Sequence, residues 1–430
     1  MESRKNNLLN TSFFQSITTF FSSRVLWAGG LLLIGVLTAR ILGPSDRGLY
    51  AMFFTIVGIG TNLSNLGLSQ ANVYYLNKEK TDIGFLFANT FIVYGVLFVI
   101  YITIFLVICN YYNFGFYEHF LLIAIGLSLI EVGVSGFIYG QHLYRAQSYL
   151  LILQSAILIL TTLLIIPLGV SLYMALLLRL LGMLLFAAIY MGAFFCLTPR
   201  MEVLPSLKVM FKQFKYGVRN WIQNLIGLVN YRVYMFVLGY FSGSEAIGFF
   251  SVALLFVELI RFWPETIATL LFPKMTSLSS NTKSANYMAI STRLTLLIML
   301  AGALVLIAIV PWLLPLVFGA EYSQAETSCQ ILLLASVFGV LYQMLTRYFS
   351  SENQQQCSIY TGLGALVVAI SSSALLIPNF GLTGASLAYL LCNMFSGALM
   401  VYFFIKQTKI SAVELLIVKR SDFDYVLQKR

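Results

Sequence analysis

Apolar residues run along this chain in long blocks, and short polar, glycine or proline punctuation separates one block from the next. A helix needs roughly 20 apolar residues to cross the hydrocarbon core of a bilayer. Twelve segments reach about that length: 18–42, 48–76, 83–109, 119–140, 149–167, 171–195, 217–241, 247–272, 289–313, 327–350, 358–377 and 384–405. The pattern predicts an all-α integral membrane protein with twelve transmembrane helices. The first block, Thr18 to Leu42, has no small-residue cleavage site, so it reads as a retained helix and not a signal peptide.

The punctuation alternates in charge. One set of connections carries Lys and Arg: KEKTD at 78–82, the turn with Arg145, 200–215 with Arg200, Lys208, Lys212 and Lys215, 273–288 with Lys274 and Lys283, and the tail after Ile405. The other set, 110–119, 167–169, 242–246, 318–326 and 378–384, has neither residue. Arg40 and Arg47, around the first turn, are the exceptions. Lys/Arg-rich loops stay on the cytoplasmic side. The expected topology therefore places both termini in the cytoplasm of a multi-pass cytoplasmic (inner) membrane protein.

Six spans per half give the two halves the same orientation, and an offset of 200 brings matching punctuation together. Gly43-Pro-Ser-Asp-Arg-Gly48 lines up with Gly243-Ser-Glu-Ala-Ile-Gly248, and Ile166-Pro-Leu-Gly169 resembles Ile377-Pro-Asn-Phe-Gly381 after a shift of register. Parallel repeats of this kind are a transporter architecture, with the substrate site expected at the repeat interface near the midplane. The expected organisation is a six-helix lobe over 1–199, a cytoplasmic linker over 200–216, a second six-helix lobe over 217–405, and a cytoplasmic tail over 406–430.

Composition agrees: of 430 residues 59% are hydrophobic and 10% charged, against roughly 25% charged in soluble domains. The formal charge of +10 is spread over alternate loops and makes no solvated face for nucleic acid. Five cysteines lie scattered with no CxxC pair, which argues against a disulfide framework or zinc site. His119 and His142 stand at opposite ends of one expected helix and do not form a metal or triad pair. There is no GxxxxGK[ST] phosphate loop, and the outward loops are too short for a catalytic face. No enzyme activity, cofactor or metal is expected.

Charge inside the apolar blocks carries the functional information. An arginine at mid-bilayer costs about 2.5–3.5 kcal/mol on insertion scales, so such residues face a bundle interior or a water-filled cavity. Arg232 has no other charged residue from Asn220 to Ser244, and no carboxylate within helical reach. Arg179 and Arg24 also lie within spans; Arg24 reaches either the cytoplasmic interface or a cavity mouth. Arg347, near the cytoplasmic end of its span, is expected to snorkel. Glu258, Arg261 and Glu265 fall along one helix face at spacings that permit a structural ion-pair set. Glu131 is central in its span and has two readings, a protonatable or cation-binding coupling site or a neutral interhelical carboxyl; Glu258 is the second coupling candidate. Amides crowd corresponding spans: Asn62, Asn65, Gln70 and Asn72 in the second, Asn220, Gln223, Asn224 and Asn230 in the seventh. They read either as interhelical glue or as groups facing a sugar. A mainly cationic buried set points to an anionic substrate.

Three segments resemble the Wzx-like polysaccharide flippases of the multidrug/oligosaccharidyl-lipid/polysaccharide exporter superfamily. They are TARILGPSDRGLYAMFFTIVGIGTNLSNLGLSQA (38–71), VLGYFSGSEAIGFFSVALLFVEL (237–259) with LLFPKMTSL (270–278), and LVFGAEYSQAETSCQILLLA (316–335). The resemblance implies two six-helix lobes in a V-shaped bundle. It also implies translocation of an undecaprenyl-diphosphate-linked oligosaccharide in O-antigen or capsule assembly, with membrane lipids, a polysaccharide polymerase and chain-length proteins as partners. Arg232, Arg179, Arg24, Asn224 and Asn62 are then the cavity candidates. The first span also resembles that of lipid II flippases through Ser23-Arg24-Val25-Leu26 and Ala39-Arg40-Ile41-Leu42-Gly43, but the spacing of the two arginines is longer by about one turn. Multidrug antiporters share the topology yet rely on acidic residues in the bundle, whereas the first span here carries Arg24 and no carboxylate. A non-transporting scaffold of the assembly complex and a small-organic-ion antiporter are the alternatives.

Reporter fusions test the topology. Fusions at Ser244 and Gln324 should read periplasmic, and those at Lys80, Ser206 and Ser280 cytoplasmic. An inverted or odd-span pattern would remove the argument for parallel repeats.

Overall fold

The computed structural model describes the backbone of residues 2–111, 117–198, 201–276, 281–352 and 354–418. Side chains are described from residue 22 onward within those ranges, apart from 24, 104–111, 117–118, 219, 266, 268–276 and 281–283. The loops expected at 110–119 and 273–288, Arg200, the Arg24 side chain and the tail beyond 418 therefore lie wholly or partly outside the described residues.

The described chain is helical throughout: α1 (Glu2–Asn65), α2 (Leu68–Asn77), α3 (Ile83–Tyr111), α4 (Tyr117–Gly140), α5 (Tyr144–Leu163), α6 (Ile165–Leu168), α7 (Leu172–Leu197), α8 (Leu207–Thr276), α9 (Asn281–Phe318), a 3-10 turn (Ala320–Ala325), α10 (Glu326–Ser351), α11 (Gln355–Thr408) and α12 (Ala412–Leu416). Among the described residues, nine stretches are long and apolar enough to cross a membrane. Three of these hold two arms each, because α1, α8 and α11 leave helical geometry once, at Gly43 (φ 73°, ψ 173°), Gly243 (φ 81°, ψ −176°) and Gly381 (φ 51°, ψ −124°). Positive φ is open to glycine at little cost, and Pro44 then starts the next arm with φ already set for a helix. Counted as arms, the twelve expected crossings are present. The protein is an all-α integral membrane protein.

One expected span is divided. The segment 48–76 ends as a helix at Asn65, because Leu66 (φ 47°) and Gly67 (φ 74°) are both left-handed and turn the chain into α2. The expected linker 200–216 is helical from Leu207 onward, as the start of α8.

The chain forms two compact units. The first takes Met1–Leu42 and Phe53–Leu225, and the second takes Gly43–Met52 and Ile226–Arg430. The first buries a core that includes Phe87, Phe137, Phe186, Tyr190 and Phe194. Beside that core, buried amides fasten the start of α8. Gln213 donates to the Asn72 side-chain oxygen at 2.7 Å and accepts from Asn89 at 3.1 Å, while Asn72 donates to Thr90 at 3.0 Å. Asn89 closes a two-way contact with the Ser206 backbone, at 3.0 and 2.9 Å. Unpaired amides at these buried positions would each cost about 1–3 kcal/mol, so the network fixes which residues sit together. Outside it, Lys212 pairs with Glu79 at 2.7 Å, and that carboxylate raises the ammonium's pKa above its ordinary value. Both partners are well exposed, so the pair adds little stability. Gly67 and Gly217 meet in the same unit with no room for a side chain on Gly67, and the Trp221 indole donates to the Asn62 carbonyl at 2.9 Å.

The second unit contains a reciprocal crossing. A Cβ on Gly48 would overlap the Ser244 carbonyl, and a Cβ on Gly248 would overlap the Pro44 carbonyl. The Ser45 and Ser244 hydroxyls lie 2.9 Å apart at the same place. The offset of 200 read from the sequence relates every partner here: 43 to 243, 44 to 244, 48 to 248. Gly43 and Gly243 also share nearly the same backbone angles.

This crossing makes a stability prediction. Gly48→Ala and Gly248→Ala should each destabilise the protein by about 1–3 kcal/mol, the usual cost of overpacking. Gly58→Ala, on the same arm as Gly48 but with open space around it, should be neutral or slightly stabilising. Thermal unfolding in detergent reads the difference, and equal melting temperatures for all three variants would contradict it.

Candidate functional site

Among the described residues, two groups inside the spans bring arginine and glutamate close together, one in each unit. In the first, α4, α5 and α7 carry Glu131, Gln154 and Arg179. The Gln154 amide nitrogen donates to a Glu131 carboxylate oxygen at 2.7 Å, and the Gln154 oxygen accepts from the Trp27 indole at 3.1 Å. Arg179 exerts a charge interaction on Glu131, and its guanidinium lies over the Phe54 ring, 5.3 Å from the centroid. Its Nε and Nη1 are buried with no hydrogen-bond partner among the described residues. A guanidinium has five donors in a fixed fork and no acceptor, so this half-buried cation retains capacity for an anionic partner.

In the second unit the cluster forms around an aromatic ring. Tyr231 has Arg232 on its ring at 4.9 Å and Arg261 at 5.3 Å, measured to the centroid. Its hydroxyl donates to Glu258 at 2.9 Å. Arg261 lies in the electrostatic field of Tyr389, Glu265 and Glu258. Arg232 differs from Arg261: its polar contact is a long one, 3.8 Å from Nη1 to the Met235 sulfur. Cation–π contact supports a charge without neutralising it. Arg261 is embedded among acidic and phenolic oxygens, whereas Arg232 is half-buried and held by a ring and a thioether.

The remaining expected residues fall as follows. Arg347 is exposed near the end of α10. Asn224 is exposed, and Asn62 is half-buried with its carbonyl taken by Trp221. Asn65 and Asn72 bond within the bundle, Asn65 accepting from the Tyr94 hydroxyl at 2.7 Å, so these two amides tie helices together. Asn230 donates to the Gly362 carbonyl at 2.9 Å, and its side-chain oxygen is buried without a partner. Among the described residues, no group of three or more His, Cys, Asp or Glu side chains is arranged to hold a metal ion. Sequence reasoning overlooked Gln154 and Trp27, which position Glu131, and Tyr231 and Tyr389, which separate the roles of the two arginines. A lone glutamine in the apolar run 149–167 was an available signal. The two tyrosines gave none, because aromatics are abundant throughout.

Comparison with known proteins adds family and fold. The sequence pattern of the family described as "Polysaccharide biosynthesis protein" matches residues 14–279. No curated protein sequence matches the chain. Among solved structures, the lipid II flippase MurJ in an inward closed conformation aligns with a TM-score of 0.72 at 15% identity, over 97% of this chain and 95% of that one. An inward-facing multidrug resistance MATE family transporter of the MOP superfamily aligns at 0.69 and 13% identity, over 88% and 94%. A MOP superfamily transporter from Pyrococcus furiosus, described as having a binding pocket of reversed polarity, aligns at 0.61 and 14%, over 92% and 95%. These alignments span both halves of the chain, and the family match covers more than half of it. The chain belongs to the polysaccharide biosynthesis protein family and has the fold of MOP superfamily membrane transporters.

Proposed function

We propose that this protein is a flippase that moves an undecaprenyl-diphosphate-linked oligosaccharide repeat unit from the cytoplasmic to the periplasmic leaflet of the bacterial inner membrane. It works by alternating access, with the six-helix lobes 1–199 and 217–405 as the moving bodies and both termini in the cytoplasm. The product serves O-antigen or capsular polysaccharide assembly. The observation that carries this reading is the cationic set inside the spans: among the described residues, Arg179 has two buried nitrogens without a hydrogen-bond partner, and Arg232 has only the Met235 sulfur as a polar contact of its guanidinium. A diphosphate supplies the acceptors both lack, and charge-assisted hydrogen bonds strengthen where water is excluded. The family match and the MurJ-like fold support a lipid-linked glycan over a cationic drug.

Substrate binding has to favour one state of the transporter over the other, since a ligand shifts an equilibrium only by its differential affinity. Glu131 is the coupling residue of this scheme. Gln154 and Trp27 orient its carboxylate, and Arg179 stands nearby as a charge whose strength on Glu131 changes when a substrate anion engages it. Glu258, bonded to Tyr231, is the second candidate.

Arg232→Ala should abolish surface polysaccharide at normal protein level, and Arg232→Lys should retain part of it, since lysine keeps the charge but loses the bidentate fork. Wild-type polysaccharide from Arg232→Ala would overturn the cationic-cavity mechanism. Arg261→Ala should instead lower protein abundance, because Glu258 and Glu265 lose the cation in whose field they lie.

Glu131→Gln preserves an acceptor for Gln154 but removes titration. The variant should insert normally and lose gradient-dependent flipping. Full activity in a reconstituted gradient assay would make Glu131 a structural carboxyl.

A further inference from the structure

Leu207 and Phe211, at the start of α8, stand 70% and 71% exposed, and Val218 and Ile222 further along the same helix 39% and 40%. At 3.6 residues per turn these four fall within about 60° of one another on the helix surface. Lys215, Lys208 and Lys212 follow around one flank of that apolar stripe. The opposite side of the helix is buried: Gln213 is fully enclosed, and Gly217 meets Gly67. Residues 207–222 are therefore fixed to the first unit along one side and present an apolar stripe with a cationic flank on the other.

The contacts of this segment set its depth. α3 begins at Ile83, which also starts an apolar span running to Thr103. Asn89, six residues into that span, bonds to the Ser206 backbone in both directions and donates to Gln213. A Cβ on Gly84 would overlap the Glu202 carbonyl just upstream. At 1.5 Å per residue, Asn89 lies about 9 Å beyond the start of the span. The first turns of α8 thus run beside the opening turns of a membrane helix and not out in water.

A helix resting at a bilayer surface buries its apolar side roughly 5–10 Å into the boundary between headgroups and acyl chains, with Lys and Arg on its polar side. Depth, stripe and flanking lysines all match that arrangement. Beyond Ile222 the helix continues unbroken to Gly243, so the stripe leads straight into the span. Lys212 pairs with Glu79, whereas Lys208 and Lys215 are exposed and form no ion pair among the described residues. Two free ammonium groups beside an apolar stripe complement an anionic headgroup above its acyl chains. A protein partner would have to offer acidic groups around an apolar ridge and still sit at bilayer depth.

We infer that residues 207–222 form an interfacial docking surface for anionic phospholipid. Leu207, Phe211, Val218 and Ile222 lie among the outer acyl segments, and Lys208 and Lys215 on the phosphates. The surface needs only the membrane fold, whatever the transported substrate. It holds the connection between the two halves of the chain at the level of the bilayer surface.

Phe211 allows a direct test, because the photoreactive p-benzoylphenylalanine can replace it with a larger aromatic group at an exposed position. The full-length protein carrying this probe is reconstituted in phosphatidylcholine vesicles with a minor share of phosphatidylglycerol and irradiated, and its adducts are identified by mass spectrometry. Phospholipid adducts should dominate. Phosphatidylglycerol should be enriched over its bilayer share by about fivefold for each lysine, the effect of one cation near an anionic surface. Lys208→Gln together with Lys215→Gln should return the adducts to the bilayer's own ratio. That double variant should keep the wild-type melting temperature, since neither lysine has an ion pair to lose. Adducts confined to protein, whether this chain or another, would overturn the inference. So would lipid adducts at the bulk ratio with both lysines in place, or enrichment that survives in the double variant.

Discussion

Two helix arms in the second unit touch backbone to backbone at Gly48 and Gly248, and much of the architecture follows from that approach. Helices in a membrane gain no hydrophobic free energy from packing against one another, because lipid tails are as apolar as leucine. Association depends on close van der Waals contact and polar bonds, which small residues permit. Here the contact is reciprocal: each glycine faces the carbonyl four residues before the other. The paired contact repeats the offset of 200 that the punctuation of the two halves shows in the sequence. The crossing also places Gly43–Met52 with the second unit while the rest of the first half belongs elsewhere. In the first unit, Gly67 meets Gly217, and the amides of Asn72, Asn89 and Gln213 bond to one another.

The cost of burying charge sorts the arginines by role. Arg261 lies over the Tyr231 ring and in the field of Glu258 and Glu265 on its own helix, the setting of a structural cation in the proposed scheme. Arg232 and Arg179 rest on aromatic faces, an arrangement that supports a guanidinium while leaving its donors available. A protein holding such groups in a low-dielectric bundle spends stability on them. The proposed diphosphate substrate gives that expense a purpose. Glu131 lies in the field of one of these cations, Arg179, which is where the proposed scheme couples substrate charge to the carboxylate.

The spans were legible because length and apolarity dictate them: the breaks at Gly43, Gly243 and Gly381 fall in the punctuation that separated the segments. The division at Leu66–Gly67 was harder to read. Leucine ordinarily continues a helix, and only its left-handed backbone, next to glycine, ends this one. Individual charges inside the spans were visible too, since a charge in an apolar run is conspicuous. Their partners were hidden. Gln154 reaches Glu131 across 23 residues of chain and Trp27 reaches Gln154 across 127, and no local spacing encodes such a meeting. The spacing of Glu258, Arg261 and Glu265 marked the right neighbourhood but missed Tyr231, whose hydroxyl donates to Glu258 and whose ring lies against both arginines.

The most direct measurement of the central claim is translocation by purified protein in sealed proteoliposomes. One set of vesicles carries a fluorescent undecaprenyl-diphosphate-linked oligosaccharide on one leaflet, and a parallel set is offered a cationic amphiphilic drug. A cationic bundle predicts that the diphosphate lipid becomes accessible on the opposite leaflet and that the drug is not moved. Transport of the drug with the lipid left in place would contradict the account.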